Sequence, residues 1–285
     1  MINSWMFSLK ILLRSHLKRS VLFLSIFFLC CTCNKTEKQA PSDPWLEKFL
    51  KDVMLDENGI YTLFGSKPMV IFPVFCYSKE DYQQLYDSMS EEEKRNAIII
   101  QDEDDHYDLP ENWEKWEKFQ AQFLSKRYVM VKQPVPDLPK EFTICFADLA
   151  RVALCLEEHY DIFKRITHEE FDPLQESLSL KEGSPFWDKA FNSSILSGIL
   201  FGFGEQNSFF FHWKAEESFP LNRRFIHNNK LRFDQTIDNF GIPIFATFTD
   251  LADSVIEKYK KEREQIKALY KDKDFLETTL KQLCP

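Results

Sequence analysis

The chain has 285 residues, 28% of them charged, with a formal net charge of −9 and a sequence pI near 5.3. A nucleic-acid binder is expected to carry a basic surface, and this acidic balance argues against that class. With 44% hydrophobic residues, 28 phenylalanines and only seven glycines, the composition argues against disorder and predicts a core built on aromatic volume.

The N-terminus is the most informative stretch. Lys10, Arg14, Lys18 and Arg19 precede the apolar run Val21 to Leu29, which ends in Cys30-Cys31-Thr32-Cys33, and no acid appears before Glu37. Charge, then apolarity, then cysteine is the order of a bacterial lipoprotein signal. The run with its cysteines reaches about 13 residues, short of the ~20 that a transmembrane helix needs. Residues 1–33 therefore read as a signal segment, with Cys33 as the lipidated residue because the polar sequence starts directly after it, and Cys31 as the alternative. The Cys30-x-x-Cys33 spacing is not read as a redox or zinc motif in this setting. Residues 1–33 hold four of the 36 basic residues and none of the 45 acidic ones, so the remainder carries a net −13.

Residues 34–44 are polar with two prolines and predict a tether. A single globular domain over 45–285 is expected to follow. Trp45, Phe49 and Val53 fall at helical spacing, predicting a helix over 45–55. After the Asn58-Gly59 turn, Ile60 to Phe64 reads as a strand and Met69 to Cys76 as a second, with Pro73 marking an edge strand or a bulge. Ser78 caps a helix to about Arg95; Asn96 to Gln101 is a short β-branched run, and Asp102 to Asp108 an acidic loop. Pro110 opens an amphipathic helix to about Leu124 that presents Trp113, Trp116, Phe119 and Phe123. Tyr128–Lys132 and Glu141–Phe146 predict paired strands, and 69–133 offers the only case for a βαβ unit.

Asp148 to Ile166 predicts one long helix. Over Asn192 to Phe203, Ser194, Gly198 and Gly202 recur every four residues and leave a smooth stripe for close backbone approach, with Gly204 as a left-handed cap. Phe219 to Phe240 reads as a loop, Ile242 to Phe248 as a last strand, and the segment from about 249 as charged C-terminal helices. The fold class predicted is α+β, predominantly helical, with a small mostly antiparallel sheet.

Three stretches carry a resemblance. They are Thr62-Leu63-Phe64-Gly65-Ser66-Lys67-Pro68, Trp113-x-x-Trp116 with Phe123-Leu124-Ser125-Lys126, and the run Leu196 to Ser208, LSGILFGFGEQNS. Across roughly residues 58 to 215 the chain resembles an uncharacterised protein family of chlamydia-type intracellular bacteria. The resemblance implies a bacterial envelope or secreted protein and implies no activity.

A search for chemistry finds no Gly-x-Ser-x-Gly elbow, phosphate-binding glycine loop or His-Glu-x-x-His pair. The acidic loop around His106 lacks the glycine and distal glutamate of a calcium loop, so no metal and no cofactor are expected. Gly65-Ser66-Lys67-Pro68 could hold an anion through backbone N–H groups and the Lys67 ammonium. Arg223, Arg224, His227, Lys230 and Arg232 accumulate between Glu217 and Asp234 with no acid among them. In an acidic chain they are candidates for meeting an anionic lipid, a glycolipid or a protein partner. After lipidation at Cys33 four cysteines remain, Cys76, Cys145, Cys155 and Cys284, read as buried thiols with two disulfides as the alternative.

The sequence thus predicts a lipid-anchored envelope protein, periplasmic or surface-facing, with a binding or structural role and membrane contact through its N-terminal lipid. One alternative is an envelope hydrolase or transferase whose site assembles His106, His159, His168 or His212 with carboxylates. Another is a secreted effector with an uncleaved export signal.

Overall fold

Successive residues of a strand face opposite sides of a sheet, and in this protein both sides are apolar. The computed structural model describes residues 43–91, 94, 108–135, 138–218, 235–247 and 254–284. Three strands, β1 (Met69–Phe75), β2 (Tyr128–Pro134) and β3 (Glu141–Asp148), form an antiparallel sheet in the order β1-β3-β2. Val70, Phe72, Met130, Ile144 and Phe146 enter one hydrophobic cluster, while Met69, Val129, Cys145 and Ala147 enter another. The sheet is therefore a middle layer between two layers of helices. The fold is a predominantly helical α+β one with a small antiparallel sheet.

On the first face lie α1 (Pro44–Lys51), a π-helical turn (Asp52–Asp56), α2 (Ile60–Leu63) and α4 (Leu109–Phe119), with α11 (Ser254–Tyr270) and α12 (Phe275–Leu283). Between β1 and α4 comes α3 (Lys79–Asp87), opened by the predicted Ser78 in a reciprocal capping box with Asp81. On the second face lie α5 (Leu149–Glu158), α6 (Tyr160–Thr167), α8 (Pro185–Asn192) and α9 (Ser194–Leu200), with α7 (Pro173–Ser179) packed beside α5. Helix α10 (Glu205–Ser218) returns along α9.

Pro73 sits in the edge strand β1, as expected, where its missing N–H costs no ladder bond on the solvent side. Both β1 and β2 run antiparallel to β3, so they are parallel to one another, yet β3 lies between them. The expected βαβ unit over 69–133 is thus split by a third strand.

Three element readings are corrected. Ile60–Leu63 is a helical turn and not a strand: its N–H groups bond back to the carbonyls of Asn58 and Gly59, and all four residues are buried. The helix expected over 148–166 divides at His159, whose φ −107°, ψ 23° ends α5 before α6 starts. Residues 242–247 form no strand, and Ile244 is 96% exposed. Trp113, Trp116 and Phe123 are buried as predicted, but Phe119 is not. The run Asn96 to Gln101 and all of the acidic loop but Asp108 lie outside the described residues; Asp108 pairs with Lys48 at 2.7 Å.

Asp148, wholly buried, links the two helical layers. It caps α5 by accepting from the N–H groups of Ala150 and Arg151. Arg127 donates to it from Nε and from Nη2, the latter at 2.6 Å, and the Arg151 guanidinium lies 3.2 Å away. Arg151 also donates to the Thr62 carbonyl of α2 at 2.5 Å. One carboxylate thereby offsets two guanidinium groups and fixes the ends of β3, α5 and α2 together.

Candidate functional site

The hairpin of α9 and α10 is where the small-residue stripe has its effect. Ser193 caps α9 by accepting from the Leu196 N–H at 3.3 Å. Along the stripe, Ser194 Oγ and His212 Nδ1 are 2.8 Å apart, and a β-carbon on Gly198 would lie 2.5 Å from Ser208 Oγ. Ser208 in turn donates to the Gly204 carbonyl at 2.7 Å. Gly202 (φ 74°) and Gly204 (φ 82°) are left-handed and turn the chain from α9 into α10. The predicted close approach is present, and Gly204 is left-handed as predicted, but it does not cap the helix, because α9 ends at Leu200 with Phe201 as its C-cap.

The Gly202 end of this hairpin rests on the Gly65–Pro68 turn. A β-carbon on Gly202 would meet the Tyr259 hydroxyl and come within 3.5 Å of Lys67 Cα. Tyr259, from α11, donates to the Gly202 carbonyl at 3.0 Å. The turn itself accepts an anion, but from inside the protein: Ser66 N–H donates to Glu262 Oε2 at 3.1 Å, and Lys67 N–H goes to the Tyr61 carbonyl.

Lys67 does not reach that carboxylate. Its side chain turns inward, leaving the residue 4% exposed, with Nζ 5.5 Å from the centroid of the Phe203 ring. Phe203 stacks on Phe245 at 4.9 Å, and Phe245 packs edge-on against Tyr259. Among the described residues no carboxylate lies within ion-pair distance of Lys67 Nζ. Burial pushes its ammonium down to about 8, opposed by the weaker pull of Glu57.

The described histidines are dispersed. His159 Nδ1 lies 3.8 Å from Glu205 Oε2, His168 ends α6 in a left-handed conformation, and His212 meets Ser194. Among the described residues no three His, Cys, Asp or Glu side chains are grouped as metal ligands. No disulfide joins the described cysteines; Cys145 and Cys155 are buried, Cys76 and Cys284 exposed, so the buried-thiol reading holds for two of the four. Burial pushes the Cys145 and Cys155 thiols up to about 12.

Of the residues predicted to meet an anion or partner, only Lys67 is therefore among the described residues. Cys31, Cys33, His106 and the basic group Arg223, Arg224, His227, Lys230 and Arg232 lie outside the described residues. Glu262 and Tyr259, which meet the Lys67 turn, were not marked by any motif, and Phe203 was marked only within the Leu196 to Ser208 run and not as a neighbour of Lys67: all three come from positions more than a hundred residues downstream. No helix among the described residues is long and apolar enough to cross a membrane. No family profile, curated protein or solved structure matches the chain.

Proposed function

We propose that this chain is a lipid-anchored protein of a bacterial envelope whose folded body has a binding or structural role. The observation that carries the reading is the order of four basic residues, an apolar run and a cysteine cluster ahead of a polar tether. Helix α10 adds support: it presents Phe211 (47% exposed) and Trp213 (59% exposed). In sequence it is followed by the basic run from Arg223 to Arg232. Exposed aromatic rings suit a lipid–water boundary, and basic residues suit anionic headgroups. Metabolic labelling with palmitate in a bacterial host tests the reading. Label is expected on the full chain, with partition into the detergent phase, and both are lost when Cys31 and Cys33 are replaced by serine. Label that survives the double replacement defeats the proposal.

A second reading is favoured by one contact. The Ser194 hydroxyl beside His212 has the arrangement by which an imidazole takes the proton of a nucleophile, and this would suit an envelope hydrolase. A fluorophosphonate probe should then label Ser194, and the label should vanish in His212→Gln. An unlabelled Ser194 removes this reading and leaves the first intact.

A further inference from the structure

We propose that Lys67 is a covalent capture site for small uncharged aldehydes, its Nζ adding to the carbonyl carbon. A buried ammonium without a partner is costly, and the cost falls when the group becomes a neutral amine. Lys67 is in that position: it is 4% exposed and no carboxylate approaches its Nζ among the described residues. Its surroundings are aromatic, with the Phe203 ring centroid 5.5 Å from Nζ and Phe245 stacked on that ring.

The place is also held firmly. Gly202 packs on Lys67 and Pro68 with its carbonyl tied to Tyr259, and Lys67 N–H is bonded to the Tyr61 carbonyl. The nearby charges select the ligand. Glu262 occupies the backbone N–H of Ser66, and Glu57 acts on Lys67 at longer range. Both carboxylates oppose a phosphate or carboxylate ligand and leave a neutral carbonyl compound unaffected.

The step is balanced without any redox partner. The Nζ lone pair forms the N–C bond while the carbonyl π electrons move to oxygen. The oxygen takes up a proton, and nitrogen releases one. The carbinolamine then loses water to give an imine. With the Lys67 pKa near 8, about a tenth of the amine is neutral at pH 7, against roughly one part in 3,000 for an ordinary lysine.

The test is a short pulse of formaldehyde with sodium cyanoborohydride on the full chain at pH 7, with methylation of each lysine quantified by peptide mass spectrometry. Lys67 is expected to lead exposed lysines such as Lys48 and Lys260 by about tenfold. Its labelling should rise with a midpoint near pH 8, and the lead should vanish in guanidinium chloride. Labelling of folded Lys67 at or below the surface rate overturns the proposal, as does a lead that persists after unfolding. Propionaldehyde and glyoxylate, offered in competition, separate the ligand classes: capture of propionaldehyde supports the assignment, and preference for the anionic glyoxylate overturns it.

Discussion

Ser208 Oγ lies 2.5 Å from the point that a β-carbon on Gly198 would occupy, and Ser208 Cβ lies 2.9 Å from it. The two helices of the α9–α10 hairpin meet through the absence of a side chain. Gly198→Ala gains up to ~1 kcal/mol of helix propensity but forces apart a contact that no rotamer of Ser208 relieves, because its own Cβ is in the way. Overpacking of this kind costs about 1–3 kcal/mol, so net destabilisation of about 1–2 kcal/mol is expected in urea. Ser208→Gly in the same chain should recover much of that loss, a coupling of about 1–2 kcal/mol in a double-mutant cycle. Additive single effects would show that the hairpin adapts by sliding.

Asp148 combines two roles that substitution can separate. Its side chain is fully buried while those of Arg127 and Arg151 are 27% and 24% exposed, so the guanidinium groups can regain some water when the carboxylate is lost. Asp148→Ala removes both the α5 cap and the ion pairs, and a loss of about 3–4 kcal/mol is expected. Asp148→Asn keeps an oxygen for the Ala150 and Arg151 N–H groups, so its loss should be about 1 kcal/mol smaller. Equal losses in denaturant titrations would mean that the cap contributes nothing.

The division between what the sequence discloses and what it hides follows from the range of the interactions involved. Ser78 as a cap, Pro73, and the four-residue step of Ser194, Gly198 and Gly202 act over one helical turn or one strand position, and each reading of them holds. Ile60–Leu63 fails as a strand because a short, wholly apolar run has no periodicity to separate the two states. Its burial against α11 and the grip of Arg151 on Thr62 decide the matter. The break at His159 has no glycine or proline to announce it. At the candidate site the turn chemistry pointed to Lys67, but neither its burial nor the arrival of Glu262 in the same turn is local. Both depend on α11 and on the α9–α10 hairpin being folded against the start of β1.

The cysteines give a chemical reading of the same layering. Cys145 in β3 and Cys155 in α5 belong to the second-face core, and with thiols pushed up to about 12 they carry almost no thiolate near neutrality. Since the thiolate is the reacting species, iodoacetamide at pH 8 should modify Cys76 and Cys284 in the folded chain and spare Cys145 and Cys155. All four should react in guanidinium chloride. Early modification of Cys155 would place it at a mobile seam between α5 and α9, where its Sγ now faces the Ile199 carbonyl at 3.8 Å.

Lys67 should leave a signature in the pH dependence of stability. Its pKa falls from the ordinary 10.5 to about 8 on folding, so below pH 8 both states are protonated and the folded state bears the full cost of the buried charge. Between about pH 8 and 10.5 the unfolded chain binds the extra proton, and stability rises with pH. The other groups facing this place do not mimic the effect. Tyr61 and Tyr259, both raised by burial, contribute stability that is lost only as the unfolded tyrosines ionise above about pH 10. Lys67→Met should therefore stabilise the protein at pH 7 by about 1–3 kcal/mol, the cation–π contact with Phe203 being the part forfeited. The variant should also flatten the rise in denaturation midpoint between pH 7 and 9.5. A wild-type midpoint that stays level over that range, or a variant less stable than wild type at pH 7, would show that the Lys67 charge is compensated.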